Sequence, residues 1–187
     1  MHSNGEDGMS VLLLGEIVWD MFEDRRSLGG APFNVAGHLG KMKCPASLIS
    51  AVGEDELGQE ALRKAGEERI DTRFIRKTAH APTGRVDVQL EAGQPMFRIH
   101  RPAAYDYLDI SEQDMQALKG MEPMWIYFGT LAQMSPRVRE VTERLMNNFP
   151  SAGKFYDINL RRDNYEYGLI RELLKKSDII KLNEEEF

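Results

Sequence analysis

The chain has 187 residues, enough for one domain with a sizeable core and marginal for two. Hydrophobic residues make up 42% and charged residues 29%, an ordinary globular composition, and a formal net charge of -6 with no basic stripe argues against a nucleic-acid partner. The single cysteine, Cys44, excludes a disulfide within the chain, and no apolar run has the length to span a bilayer, so a cytoplasmic protein with no membrane partner is expected.

Met1 to Ser10 is polar and lacks the apolar stretch of a signal peptide, so residues 1–9 are expected to be a disordered lead-in or an expression remnant. Val11-Leu12-Leu13-Leu14, ending at Gly15, predicts a strand buried on both faces. Pro32 to Met42 predicts a helix, with proline in its first turn and Phe33, Ala36, Leu39 and Gly40 at helical spacing. Ala46 to Val52 reads as a second buried strand, and Glu56 to Arg69 as a helix with Leu57, Ala61, Leu62 and Ala65 on one side. A buried, inert thiol is the expectation for Cys44.

The period then changes. Thr83 to Leu90 alternates, with Val86, Val88 and Leu90 against Arg85, Asp87 and Gln89; after a turn at Glu91–Pro95, Met96 to Arg101 alternates again. This predicts a hairpin, at about residues 83–101, with one wet face. Ser111 to Asp114 has the form of a capping box opening a helix through Leu118. Trp125–Phe128 is a predicted strand. Ser135-Pro136 opens a helix with Val138, Val141, Leu145 and Phe149 on one stripe. Lys154 to Ile158 follows as a strand, Tyr167 to Lys176 as a helix and Asp178 to Leu182 as a strand, and Glu184–Phe187 would begin another helix. Alternating strands and helices imply an α/β fold: one domain over residues 10–187, three layers about a mostly parallel sheet, with the hairpin as a small antiparallel lid.

In open parallel sheets ligands bind beyond the carboxyl ends of the strands. Those positions hold Glu16 and Asp20 after the first strand, Thr130, then Asp157, Asn159 and Arg161, and finally Lys181, Asn183 and Glu186. The strongest local signal is Leu28-Gly29-Gly30-Ala31-Pro32-Phe33-Asn34. Two glycines let backbone approach a ligand closely, the following helix presents free N–H groups, and Asn34 both donates and accepts. Taken alone, the segment is a turn and a helix start; it is not the GxGxxG of a dinucleotide site. Asp20 can accept from two sugar hydroxyls or be an exposed loop acid. Asn183 and Glu186 can order the water shell of Mg²⁺ or simply begin a solvated helix. The four histidines, His2, His38, His80 and His100, and Cys44 lack metal-binding spacing, so no direct metal ligand is assigned.

Together these stretches resemble the ribokinase-like (PfkB-type) carbohydrate kinases. GGAPFNVAGHLGKM followed by VGEDELG, from Gly29 to Gly58 and including Gly53 and Asp55, is similar to that family's N-terminal signature. GEIVWD at Gly15–Asp20, FYDINLR at Phe155–Arg161 and KLNEEEF at Lys181–Phe187 resemble its other motifs in the same order, covering nearly all of Met9–Phe187. The segment around the hairpin looks most like fructokinase-type members. Ile158 departs from the usual proline, which should alter local rigidity more than function.

The resemblance implies transfer of the ATP γ-phosphoryl group to a primary hydroxyl of a sugar. Asp20, Gly29, Gly30 and Asn34 would hold the sugar, Phe97 would add an apolar surface from the lid, and Arg161 would lie near the sugar or the transferring phosphate. Asn183 and Glu186 would help order Mg²⁺ and phosphate, and the lid sheet would support a homodimer. The family's glycine-rich GAGD-type motif, with its catalytic aspartate and anion hole, is absent from these residues, so no catalytic residue is assigned. Most of the ATP site would lie in a missing C-terminal part, and the 187-residue chain is expected to bind sugar without kinase activity. The alternatives are a non-catalytic sugar-binding or regulatory protein on the same half-fold, and an unrelated nucleotide-binding module.

Overall fold

A computed structural model describes residues 10–91, 94–161, 163–184 and 186–187. The expectation for residues 1–9 lies outside the described residues, as does the tip of the hairpin turn.

Among the described residues ten strands form two sheets. β1 (Val11–Leu14), β4 (Ala46–Gly53), β5 (Ile75–Thr78), β8 (Trp125–Gly129), β9 (Gly153–Asp157) and β10 (Ile179–Lys181) build the larger, in the order β10-β9-β8-β1-β4-β5, with every pairing parallel. β1 lies at its centre, which is why its four residues are all apolar: both faces are covered. Val11 and Leu13 point to one side, where they meet Phe33 and Ala36 of α1 (Ala31–Lys41) and Ala61 and Ala65 of α2 (Glu56–Glu67). Leu12 and Leu14 point to the other. There they join Met115 and Leu118 of α3 (Glu112–Lys119), Val138, Val141 and Leu145 of α5 (Pro136–Asn148), and Leu169 and Leu173 of α6 (Tyr167–Lys175). The short α4 (Thr130–Gln133) follows β8 directly. Among the described residues no helix is long and apolar enough to cross a membrane.

The second sheet corrects the expected lid. β6 (Gly84–Glu91) and β7 (Gln94–Ile99) form the predicted antiparallel hairpin. β2 (Val18–Met21) and β3 (Arg26–Gly29) join it in the order β3-β2-β6-β7, and β2 runs parallel to β6. The lid is therefore a four-stranded mixed sheet rather than an antiparallel hairpin. The stretch from Gly15 to Asp20, expected only to follow the first strand, turns into this sheet after Glu16. β2 and β3 are only four residues each, too short for periodicity to register. Trp19 secures β2 from behind. Its ring is fully buried, its indole N–H donates to Leu57 O of α2 at 3.0 Å, and the cations of Arg26 and Lys64 lie over it at 5.2 and 5.0 Å.

Two smaller expectations are also corrected, and one strand was not foreseen. β5 went unpredicted because Arg76 and Lys77 interrupt its apolar pattern at the sheet edge. Among the described residues of Glu184–Phe187 a turn stands in place of the expected helix start. Cys44 is half-buried rather than buried.

Candidate functional site

A cavity of about 430 Å³ opens at the carboxyl ends of the central strands, between the larger sheet, the first turn of α1 and the lid. Asp20, Gly30, Asn34, Phe97 and Arg161, all singled out from the sequence, line it. Gly29 stands at its edge, where a Cβ would lie 3.2 Å from Asp20 Oδ2. β2 brings Asp20 to the cavity, β7 brings Phe97 and the segment after β9 brings Arg161.

The turn before α1 is built around an exclusion. Gly30 has φ 112°, and a Cβ there would lie 2.3 Å from Glu16 O. Glycine is thus required at the N-cap position, and a glycine has no side chain with which to cap. Glu16 supplies the missing acceptor: its Oε1 accepts from Ala31 N at 3.1 Å. Glu16 is only 3% exposed, and among the described residues its Oε2 has no hydrogen-bond partner. Burial pushes its carboxyl up to about 7; its own and the Ala31 N–H groups and the Arg161 charge oppose the rise, and Asp157 adds to it. Burial also raises Asp20, with the Arg161 charge again opposing. Sequence reasoning placed Glu16 at the end of β1 without assigning it a role. The signal was the need for an acceptor at a helix start whose N-cap is glycine.

Below these acids the strand ends are cross-linked. Tyr127 Oη donates to Asp157 Oδ2 at 2.6 Å, and Lys181 Nζ donates to Asp157 Oδ1 at 3.0 Å, tying β8, β9 and β10 together at the cavity floor. Ile158 N donates to Lys181 O at 3.0 Å, a bond that proline could not make. The Arg161 guanidinium lies 5.9 Å from the Phe97 ring centroid, so it bridges the loop after β9 to the lid.

Asn183 and Glu186 do not line the cavity. They cap each other: Glu186 Oε2 accepts from Asn183 N at 3.0 Å, and Asn183 Oδ1 accepts from Glu186 N at 3.0 Å. Glu186 Oε1 also accepts from Leu160 N at 2.5 Å, fixing the loop that carries Arg161. Among the described residues no group of three or more His, Cys, Asp or Glu side chains could hold a metal ion. VGEDELG is likewise outside the cavity. Asp55 caps α2 through Gly58 N at 2.8 Å and binds both Thr83 N and Thr83 Oγ1, at 2.8 and 2.6 Å, at the foot of β6. The whole arrangement offers convergent acceptors, two amides (Asn34 and Asn159) and two cations (Arg161 and Lys181), which suits a hydroxyl-rich ligand next to an anion.

Residues 8–187 match the pfkB family of carbohydrate kinases. A Pyrococcus horikoshii protein named as a putative sugar kinase is 30% identical over 165 residues, covering 84% of this chain and 53% of that protein. Escherichia coli fructokinase is 29% identical over 191 residues, covering 95% of this chain and 61% of that enzyme. The chain therefore spans little more than half the length of these relatives. The crystal structure of the P. horikoshii sugar kinase in complex with ATP superposes with a TM-score of 0.79 at 28% identity, over 94% of this chain and 64% of that one. Xylella fastidiosa fructokinase with bound ATP gives a TM-score of 0.83 at 24% identity, over 96% of this chain and 59% of that one, a likeness of fold.

Proposed function

Since this chain belongs to the pfkB family of carbohydrate kinases, we propose that it holds a sugar, fructose or a related ketose, beneath the mixed lid for phosphoryl transfer from ATP to one of its hydroxyls. The observation that carries this reading is the convergence of Asp20, the Gly29-Gly30 turn, Asn34, Phe97 and Arg161 on one cavity. Asp20 accepts from sugar hydroxyls, Asn34 donates and accepts, and the bare backbone at Gly30 lets the ring approach the start of α1. Phe97 covers the sugar from the lid and excludes water that would compete for the phosphoryl group. Arg161 neutralises charge beside the reacting hydroxyl.

ATP, when bound, supplies the phosphoryl group. The chain contributes Arg161 toward that group, and the rest of its site residues face the sugar. Among the described residues no cluster of acids or histidines could ligate Mg²⁺ directly, and Asn183 and Glu186 direct their oxygens to backbone N–H groups. We assign these two residues to ordering the loop that carries Arg161. The 187 residues contain no GAGD-type motif, and we infer that they bind sugar without turning over ATP. Sugar-dependent ADP release by the purified chain would overturn this.

Calorimetric titration with fructose, ribose and 2-keto-3-deoxygluconate tests the substrate class. Binding of fructose or 2-keto-3-deoxygluconate in preference to ribose is expected, weakened about tenfold or more in Asp20→Asn, as for loss of a hydrogen bond to a charged group. Equal affinity of wild type and variant would remove Asp20 from the site.

A further inference from the structure

Capping α1 uses one oxygen of Glu16 and leaves the other unused. Oε1 serves Ala31 N, while Oε2 is buried, without a partner among the described residues, in a side chain that lines the sugar cavity. A buried carboxylate oxygen with no donor is an unmet demand, and each sugar hydroxyl brings a donor. We propose that Glu16 is a further sugar-binding residue, its second oxygen accepting from a substrate hydroxyl, so that sugar affinity follows the ionisation of this one carboxyl. The proposal rests on the sugar-binding reading above.

The groups around Glu16 make it the controlling acid. Asp20 of β2 lines the same cavity, and the Arg161 charge acts on Glu16 from the loop after β9. Asp157 of β9 is committed to Tyr127 and Lys181. Tyr127 of β8 and Tyr105 of the 3-10 turn Ala104–Tyr107 also feel its charge; burial pushes both hydroxyls above their usual range, and they stay neutral. Among the described residues no histidine lines the cavity. A hydroxyl donated to Oε2 favours the ionised form, so sugar binding lowers the Glu16 titration point. By linkage, affinity must then rise with pH through the region near 7 where the free protein titrates.

The test is fructose titration of the whole chain from pH 5.5 to 8.5, with wild type and Glu16→Gln. Glutamine keeps an acceptor for Ala31 N but carries no charge and turns a donor toward the cavity. Wild-type affinity is expected to strengthen about tenfold across the range, for a displacement of about one pKa unit. The variant should bind about tenfold more weakly at pH 8 with a flat profile. A glutamine variant with the wild-type pH slope would overturn the proposal, assign the slope to Asp20 and leave the sugar-binding reading standing. Failure of the wild type to bind any of the sugars above would overturn both. Should the variant not fold, the ¹³C carboxyl titration of Glu16 in wild type decides: its midpoint must fall when fructose is added, and an unmoved midpoint overturns the proposal.

Discussion

Tyr127 and Asp157 sit at the ends of neighbouring strands, and the 2.6 Å bond from the Tyr127 hydroxyl to Asp157 Oδ2 joins them beneath the cavity. Both side chains are buried, at 5% and 6% exposure, and Asp157 has Lys181 as its other partner. Tyr127→Phe removes one donor from a buried carboxylate. The expected loss is about 1.5–3 kcal/mol, the range for hydrogen bonds to charged groups. Urea unfolding should show a lower midpoint with an unchanged m-value. A midpoint equal to wild type would show that Lys181 alone satisfies Asp157.

Asp55 and Thr83 join the lid to the body of the fold. The carboxylate takes three donors, Gly58 N, Thr83 N and Thr83 Oγ1. Burial raises the Asp55 carboxyl, but these bonds outweigh it and hold the group below its usual 3.8. A depressed carboxyl contributes stability above its unfolded pKa and loses it as pH falls through the folded value. Asp55→Ala should cost about 2 kcal/mol near neutral pH through the lost cap and the orphaned Thr83 donors. The difference in melting temperature between variant and wild type should shrink toward pH 3. A constant difference would mean that Asp55 acts by packing alone.

These two contacts show what the sequence could and could not disclose. β1 was legible as an unbroken apolar run, and α1, β4, α2 and the β6–β7 hairpin because each carries an apolar pattern over enough residues to be counted. β2 and β3 were not, since each mixes apolar with polar or charged residues over only four positions and shows neither a run nor a period, and so the lid was read as half its true width. Asp20, Gly30, Asn34, Phe97 and Arg161 were found from motif order, and they meet on the cavity because four segments remote in sequence converge there. Glu16 was passed over: its role depends on a turn whose φ no local pattern reveals. Asn183 and Glu186 carry the spacing of a capping pair, and their geometry is that of a capping pair.

Gly30 and Gly66 should respond in opposite directions to the same change. At Gly30 an alanine must adopt φ 112° and place its Cβ 2.3 Å from Glu16 O, so the turn has to move. Gly30→Ala is expected to abolish measurable fructose binding and to cost roughly 1–3 kcal/mol of stability from strain at a left-handed position. Gly66 lies in α2 with nothing within 4 Å of a built Cβ. Gly66→Ala should stabilise the chain by about 0.5–1 kcal/mol and leave sugar affinity unchanged. Parallel urea melts and calorimetry on the pair check both. Intact sugar binding in Gly30→Ala would mean that the turn does not touch the ligand.

Glu16 sets binding against stability. Its carboxyl is raised from 4.5 to about 7 in the fold, so between those values the native state holds a proton that the unfolded chain has released. The sign follows from linkage: this contribution is complete below the unfolded pKa, declines as pH rises toward the folded one, and is gone above it. Its size is at most about 3 kcal/mol. Glu16→Gln cannot titrate. The stability of the variant relative to wild type should therefore climb between pH 4.5 and pH 8, by up to about 3 kcal/mol. Urea unfolding of both proteins at pH 5, 6, 7 and 8 measures the climb. A relative stability that stays constant across the series would show that the carboxyl is ionised throughout and that burial does not strain it. The same substitution is expected to weaken fructose binding at pH 8, the pH at which it stabilises the fold most, because a buried charge kept for a ligand hydroxyl is a cost to the empty site.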